Sequence, residues 1–313
     1  MEKIYSQAPE MLSNQESVEN EPTIESIRPL TLSIDFDGDG PLEAYDIIDV
    51  FPHGEERDIP VCMFTGFGNQ ASDYVTALKT IAHSQERRTL AWEDRKGLDI
   101  GPVRYDREKD IPTTQLAKVL GTLEALRYLD AEKVDVVAHS EGSIHAVLAA
   151  YMYPEKFRKL VLVNPAGMTG GGGLTTLIKG ALKEGIARSY KMVRGEQVEK
   201  KTEKSFTPDF VRHQLESILN ISQSQIHHML ESLRENDEVE VTLVHTSDDR
   251  LFDFSDIEKV LQSGKTGNPA DYVDKLHIAP EGGHSGLFQN SKVFAEHVLP
   301  FLGKGSLGSQ EAV

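Results

Sequence analysis

The hydrophobic positions of this chain change their period along its length, and the change marks out its organisation. TLSIDF and AYDIIDVF, between residues 31 and 51, read as strands, and the DGDGP that separates them is rich in turn formers. A β-hairpin is expected there. From residue 60 short β-branched runs, IPVCMF, RTLAWE, KVDVVA, KLVLVN, EVTLVH and DKLHIA, alternate with longer stretches of helical period. From Thr114 to Leu129 the apolar residues Leu116, Val119, Leu120, Leu123, Leu126 and Leu129 share one helical face. SIHAVLAAYMYP is a second helix, stopped by Pro154. Successive parallel strands need a crossover, which helices supply, so the expected class is α/β, a mostly parallel doubly wound sheet with helices on both faces. No internal repeat interrupts it.

One segment departs from the rhythm. Between NPAGM and EVTLVH, residues 168–237 open on Gly170 to Gly173 and then place Leu174, Leu177, Ile178, Ala181, Leu182 and Ile186 on one helical face. Thr207, Pro208 and Asp209 look like a helix start, followed by Phe210, Val211, Leu215, Ile218 and Leu219. This predicts a helical cap inserted into a core made of residues 23–167 and 238–303; passive packing as extra core is the alternative. Residues 1–22, polar and acidic, and 304–313 are expected to be loose ends.

Composition narrows the field without naming an activity. Apolar residues make up 39% and charged ones 27%, ordinary values for a globular protein. The net charge of −17 repels phosphate backbones and argues against a nucleic-acid partner. The single cysteine, Cys62, sits in an apolar strand run, so no internal disulfide forms and a buried thiol is expected. The first residues lack the basic start and apolar stretch of a secretory signal, and no run approaches the ~20 apolar residues of a membrane helix. Cytoplasmic residence without integral membrane association is the resulting expectation. Asp35, Asp37, Asp39 and Gly40 fall at the spacing of a calcium loop, with Asp46 at its last carboxylate position. Against calcium, the flanks have strand periodicity where an EF-hand needs helices, and the last ligand is Asp where Glu is usual.

The chemistry concentrates in KVDVVAHSEGSIHAVLAAYMYP. A catalytic serine held at a tight strand-to-helix turn projects its hydroxyl above the sheet, toward the helix amides. Strand and helix pass close together there, so small residues are needed two positions before and after it. Ala138 and Gly142 flank His139, Ser140 and Glu141 in that way. With the preceding strand, the following helix and the next strand KLVLVNPAGM, the stretch resembles the α/β-hydrolase superfamily, over roughly residues 31 to 302. The usual first Gly of the turn is here Ala138.

The resemblance implies the remaining residues. A base should follow the last strand, and of eleven histidines only His284, in EGGHSGLF, occupies that place. His245 and His277 lie inside strands; His139 and His145 flank the nucleophile but are expected to point elsewhere; His227 and His228 belong to the inserted helices. The acid should follow EVTLVH, where TSDDRLF offers Asp249 in the family register and Asp248 beside it. The other location used by some relatives, after KLVLVN, holds Asn164 and Pro165, neither a carboxylate. By the same resemblance, the backbone amides of Glu141 and Phe67 would form the oxyanion hole. Phe67 belongs to the loop Thr65, Gly66, Phe67, Gly68, Asn69, in which Thr65 stands where many relatives have His.

Ser140, Asp249 and His284 thus imply acyl transfer from a small-molecule ester to water, with no metal or organic cofactor required. A carbon–carbon bond hydrolase, a peptidase or an acyltransferase would use the same triad. A ligand-binding member of the fold remains the non-catalytic alternative.

Overall fold

The computed structural model describes residues 24–31, 43–52, 59–67, 69–94, 119, 122–123, 125–168, 218–237 and 239–303. They build an eight-stranded sheet in the order β1-β2-β4-β3-β5-β6-β7-β8. The strands are β1 Ile24–Thr31, β2 Glu43–Val50, β3 Val61–Phe64, β4 Thr89–Asp94, β5 Val134–His139, β6 Phe157–Val163, β7 Glu240–Thr246 and β8 Lys275–Ala279. The β1–β2 and β2–β4 pairs are antiparallel, and every pairing from β4 through β3 to β8 is parallel. β3 to β8 are the six β-branched runs of the sequence, and the α/β class expected from them is the class observed.

The hairpin forms; of TLSIDF, Thr31 closes its first strand and residues 32–36 lie outside the described residues. β1 runs over IESIRPLT and pairs with β2 from Ile24 opposite Val50 to Thr31 opposite Glu43. The run disguises itself by containing Pro29, which cannot donate to a ladder; β1 is the outermost strand, where a missing N–H is tolerated. Two irregularities, between Ile24 and Ile27 and between Leu30 and Thr31, adjust its register to β2. Asp46 lies within β2. The calcium-like stretch at 35–40, the cap faces at 174–186 and 210–217, the loose ends 1–22 and 304–313, and Gly68 all lie outside the described residues.

Strand alternation divides the core between the two faces of the sheet. Cys62 and Phe64 of β3, Val136 and Ala138 of β5, and Leu160 and Leu162 of β6 point to one face. There they meet the helix Gly142–Met152 and the helix His227–Asn236, which contributes Met229, Leu230 and Leu233. This last helix falls within the segment 168–237, yet it packs into the core of the sheet. Val61, Met63, Val137, Val161, Val163 and Val244 point to the other face, against the helix Val75–Gln85 and the C-terminal helical run from Gly286 to Leu302. Val119, Leu126 and Leu129 of the predicted 114–129 helix are buried on the first face, and residues 125–129 are helical. Cys62 is fully buried, and burial pushes its thiol above the usual range.

The strand order places the site. From β3 the chain goes to β4 on one side, then crosses to β5 on the other, so the carboxyl ends of β3 and β5 flank the point where the winding reverses. The loop Thr65–Asn69 follows β3 and Ser140 follows β5. Asp249 and His284 follow β7 and β8 at the same end of the sheet. At the opposite end of β5, Asp135 is fully buried and takes hydrogen bonds from Arg87 at 2.7 Å and Arg158 at 2.8 Å. No helix among the described residues is long and apolar enough to cross a membrane.

Candidate active site

Ser140 occupies the whole turn between a strand and a helix. β5 ends at His139, Glu141 caps the next helix, and Ser140 has a left-handed backbone, φ 52°. For a residue with a Cβ that conformation costs ~1–2 kcal/mol. Its surroundings over-determine it: the Ser140 N–H donates to the Val163 carbonyl at 3.1 Å, and the Ser140 carbonyl accepts from Ser143 and Ala166, each at 3.0 Å. The close strand–helix approach leaves no room at Gly142, where a Cβ would stand 2.4 Å from the Phe64 carbonyl oxygen. The small residue demanded after the serine therefore has a direct steric cause.

Across the sheet end, His284 follows two glycines, Gly282 and Gly283, both with positive φ. Its Nδ1 donates to Asp249 Oδ2 at 2.8 Å. The other carboxylate oxygen accepts from the Leu251 N–H at 2.7 Å and the Phe252 N–H at 3.2 Å, so the acid is fixed on both sides. Burial alone would raise the Asp249 carboxyl; the facing His284 and its hydrogen bond, with help from His245 and the Leu251 amide, outweigh it and hold the carboxyl below its ordinary value. With Nδ1–H given to Asp249, the lone pair of His284 is on Nε2, the tautomer a base requires. Ser140, Asp249 and His284 are each at least nine-tenths buried. No hydrogen bond joins Ser140 to His284 among the described residues, a looseness common in unliganded sites.

The expected oxyanion loop is a turn in which the Asn69 N–H donates to the Gly66 carbonyl at 3.1 Å. It lies against Ser140: a Cβ on Gly66 would be 3.2 Å from Ser140 Cβ and 2.8 Å from His139 Nδ1. The Gly66 N–H is committed to the Tyr74 hydroxyl at 2.8 Å. The Phe67 N–H, at the second position of the turn, has no acceptor among the described residues. Glu141 stands at the N-terminal cap of the Gly142–Met152 helix, whose first amides carry the positive end of the helix dipole.

Several residues that the sequence left in the background hold these loops. Asn164, also left-handed at φ 46°, donates from Nδ2 to the carbonyls of His284 at 2.9 Å and Gly283 at 3.1 Å, while its Oδ1 accepts from the Thr246 N–H at 2.8 Å. Thr246 Oγ1 donates to the Gly283 carbonyl at 2.7 Å. Asp248 is exposed and accepts from the Gly283 N–H at 2.7 Å. His245 is buried and bonds the Phe252 carbonyl at 3.1 Å, closing the turn that carries Asp249. His277 pairs with His297, away from the triad candidates, and His145 lies 3.9 Å from Glu141. His139 departs from expectation: it does not point away, and its ring centroid is 4.9 Å from that of His284. The reason is β5 alternation, which turns His139 to the face where the His284 loop comes down. A fully buried polar residue at the end of a core strand is the signal that marks it.

No family model and no curated sequence matches the chain. Solved structures do. A bromoperoxidase from Bacillus anthracis superposes with a TM-score of 0.57 at 16% identity, covering 88% of this chain and 99% of its own. A variant of the meta-cleavage product hydrolase from Pseudomonas fluorescens gives 0.56 at 17% identity, covering 82% and 93%. A protein from Chitinophaga pinensis described as of the alpha/beta hydrolase fold gives 0.52 at 18% identity, covering 86% and 95%.

Proposed function

We propose, on the α/β-hydrolase fold that this chain has, that it is a serine hydrolase cleaving a carboxylic ester of a small to medium, partly apolar substrate. The observation that carries the reading is the 2.8 Å hydrogen bond from His284 to a doubly anchored Asp249, at the same sheet end as a strained Ser140. Ser140 Oγ attacks the ester carbonyl carbon as its proton passes to His284 Nε2. The amides of Phe67 and Glu141 receive the oxyanion, and His284 returns the proton to the departing alcohol. Water, deprotonated by the same His284, then attacks the acyl-enzyme; the acid is released and Ser140 regains its proton. Asp249 stays ionised throughout and stabilises the imidazolium.

A fluorophosphonate should label Ser140, and Ser140→Ala should abolish turnover of a chromogenic ester, a loss on the order of 10⁴ to 10⁶ in kcat. Label on Ser143 or Ser285 would refute the assignment. The likeness to a meta-cleavage product hydrolase supports a second reading, carbon–carbon bond hydrolysis with the same three residues. A panel that sets chromogenic esters beside a meta-cleavage product separates the two by kcat/KM.

A further inference from the structure

A buried chain of hydrogen bonds links the two loops of the site through a histidine that the mechanism above leaves idle. Tyr74 is almost fully buried, and its hydroxyl accepts from the Gly66 N–H at 2.8 Å and from Asn69 Nδ2 at 2.7 Å, the two ends of the turn that carries Phe67. With both acceptor positions filled, its own proton has one place to go, His139 Nδ1 at 2.7 Å. That fixes the tautomer of His139: Nδ1 accepts, so Nε2 carries the hydrogen and donates it to the backbone carbonyl of His284 at 2.8 Å. Asn164 donates to the same carbonyl. Each polar atom in the line is used, and none has a competing partner within it.

The line is also rigid. His139 is fully buried, with its ring packed against Phe288 at a centroid distance of 4.7 Å and Tyr74 at 5.8 Å. Gly66 abuts both ends of the elbow, where a Cβ would meet His139 and Ser140. Burial pushes the His139 imidazole down to about 3 and the Tyr74 phenol up, so the line stays uncharged and keeps one hydrogen-bond direction through the neutral range.

We propose that His139 is a positioning residue that couples the Phe67 turn to the His284 loop through Tyr74, so that oxyanion donor and base keep their places relative to Ser140 together. The inference rests on the serine-hydrolase reading for its effect on turnover, but the coupling itself is a property of the hydrogen bonds. Misplacing reacting groups by about 1 Å costs on the order of 10²-fold in rate.

The two ends of the line can be cut separately in the full-length protein. His139→Asn keeps an acceptor for Tyr74 and loses the donor to the His284 carbonyl; His139→Gln keeps that donor and loses the acceptor; Tyr74→Phe touches the oxyanion side alone. Each variant is compared below its own melting temperature, with kcat, KM and the solvent exchange rate of the His284 Nδ1 proton measured by low-field NMR. The expected result is a kcat loss of roughly 10–10²-fold with KM within about threefold, and faster exchange of the His284 proton in Tyr74→Phe, which does not touch His284. In the double variant Tyr74→Phe/His139→Asn the losses should fall well short of the product of the single losses. Multiplicative losses, or an unchanged exchange rate in Tyr74→Phe, overturn the coupling. Should Ser140 of the unaltered protein take no fluorophosphonate label, the serine-hydrolase reading falls, while the exchange rates still decide the relay.

Discussion

The side-chain amide of Asn164 holds the backbone carbonyl of His284 at 2.9 Å, from the residue that follows β6. The same amide holds Gly283 and, through its oxygen, the Thr246 N–H, so this residue sets the path of the loop through backbone groups, while the imidazole Nδ1 is bonded by Asp249. Asn164→Asp would replace two donated hydrogen bonds by a carboxylate facing two carbonyl oxygens. A loss of about 1–3 kcal/mol in stability is expected, measured by urea unfolding. The variant should also fail to rescue Asp249→Asn in a combined double variant. Recovery of kcat in that double variant would show that the carboxylate reaches the imidazole and that the loop is held otherwise.

Acid should weaken the fold through His139. Unfolded, its imidazole titrates near 6.5; folded, burial holds it at about 3. Between these values the unfolded chain binds a proton that the folded chain does not, so stability is full above pH 6.5 and falls as the pH drops toward 3, by up to ~1.4 kcal/mol per pH unit from this group. Asp249, whose carboxyl is held low, loses its contribution only as the pH falls through the ordinary carboxylate range and below. His139→Gln removes the first effect and leaves the second. Urea midpoints between pH 7 and 5 should therefore slope less in the variant; parallel slopes would mean that His139 is not held neutral.

The core strands were open to reading because parallel strands buried on both faces leave continuous β-branched runs, and the Ser140 turn because its steric demands fall on residues two positions apart in sequence. His284 and Asp249 could be reached from their places after β8 and β7. What lay hidden depends on loops meeting in space. Nothing local to Asn164 or Thr246 announces that their polar atoms converge on residues 283 and 284, nor to Tyr74 that its hydroxyl joins Gly66, Asn69 and His139. The direction of His139 is hidden for the same reason, because the loop that meets its face of β5 comes from residues 145 positions away. Pro29, with no N–H to give a ladder, hides β1, and the helical run from Gly286 to Leu302 is broken into pieces too short for a period to show.

Strain at Ser140 should be separable from its chemistry. Its φ of 52° is unfavourable for any residue with a Cβ and free of cost for glycine. Ser140→Gly should therefore melt higher than Ser140→Ala, by the equivalent of ~1 kcal/mol, although glycine loosens the unfolded chain and offsets part of the gain. Both variants should be inactive. Equal melting temperatures would indicate that the turn stores no strain at this residue.

The two neighbouring carboxylates after β7 should differ sharply in what their loss does. Asp249 bonds the His284 imidazole at 2.8 Å and is buried, whereas Asp248 is exposed and bonds only the Gly283 N–H among the described residues, at 2.7 Å. In Asp249→Asn the amide can offer Nδ1 an oxygen only if the side chain turns its NH₂ toward the Leu251 and Phe252 amides, donors facing donors. Turned the other way, it faces Nδ1–H with a donor and favours the wrong tautomer of His284. Either way kcat should drop by roughly 10⁴, the scale on which other triads lose this group, with the fold retained. Asp248→Asn keeps an oxygen acceptor for Gly283 and should change kcat by less than about threefold and stability by under ~1 kcal/mol. Measured together, kcat and melting temperature distinguish the roles: an inactive Asp248→Asn beside an active Asp249→Asn would transfer the acid's function to the exposed carboxylate, against the geometry of the site.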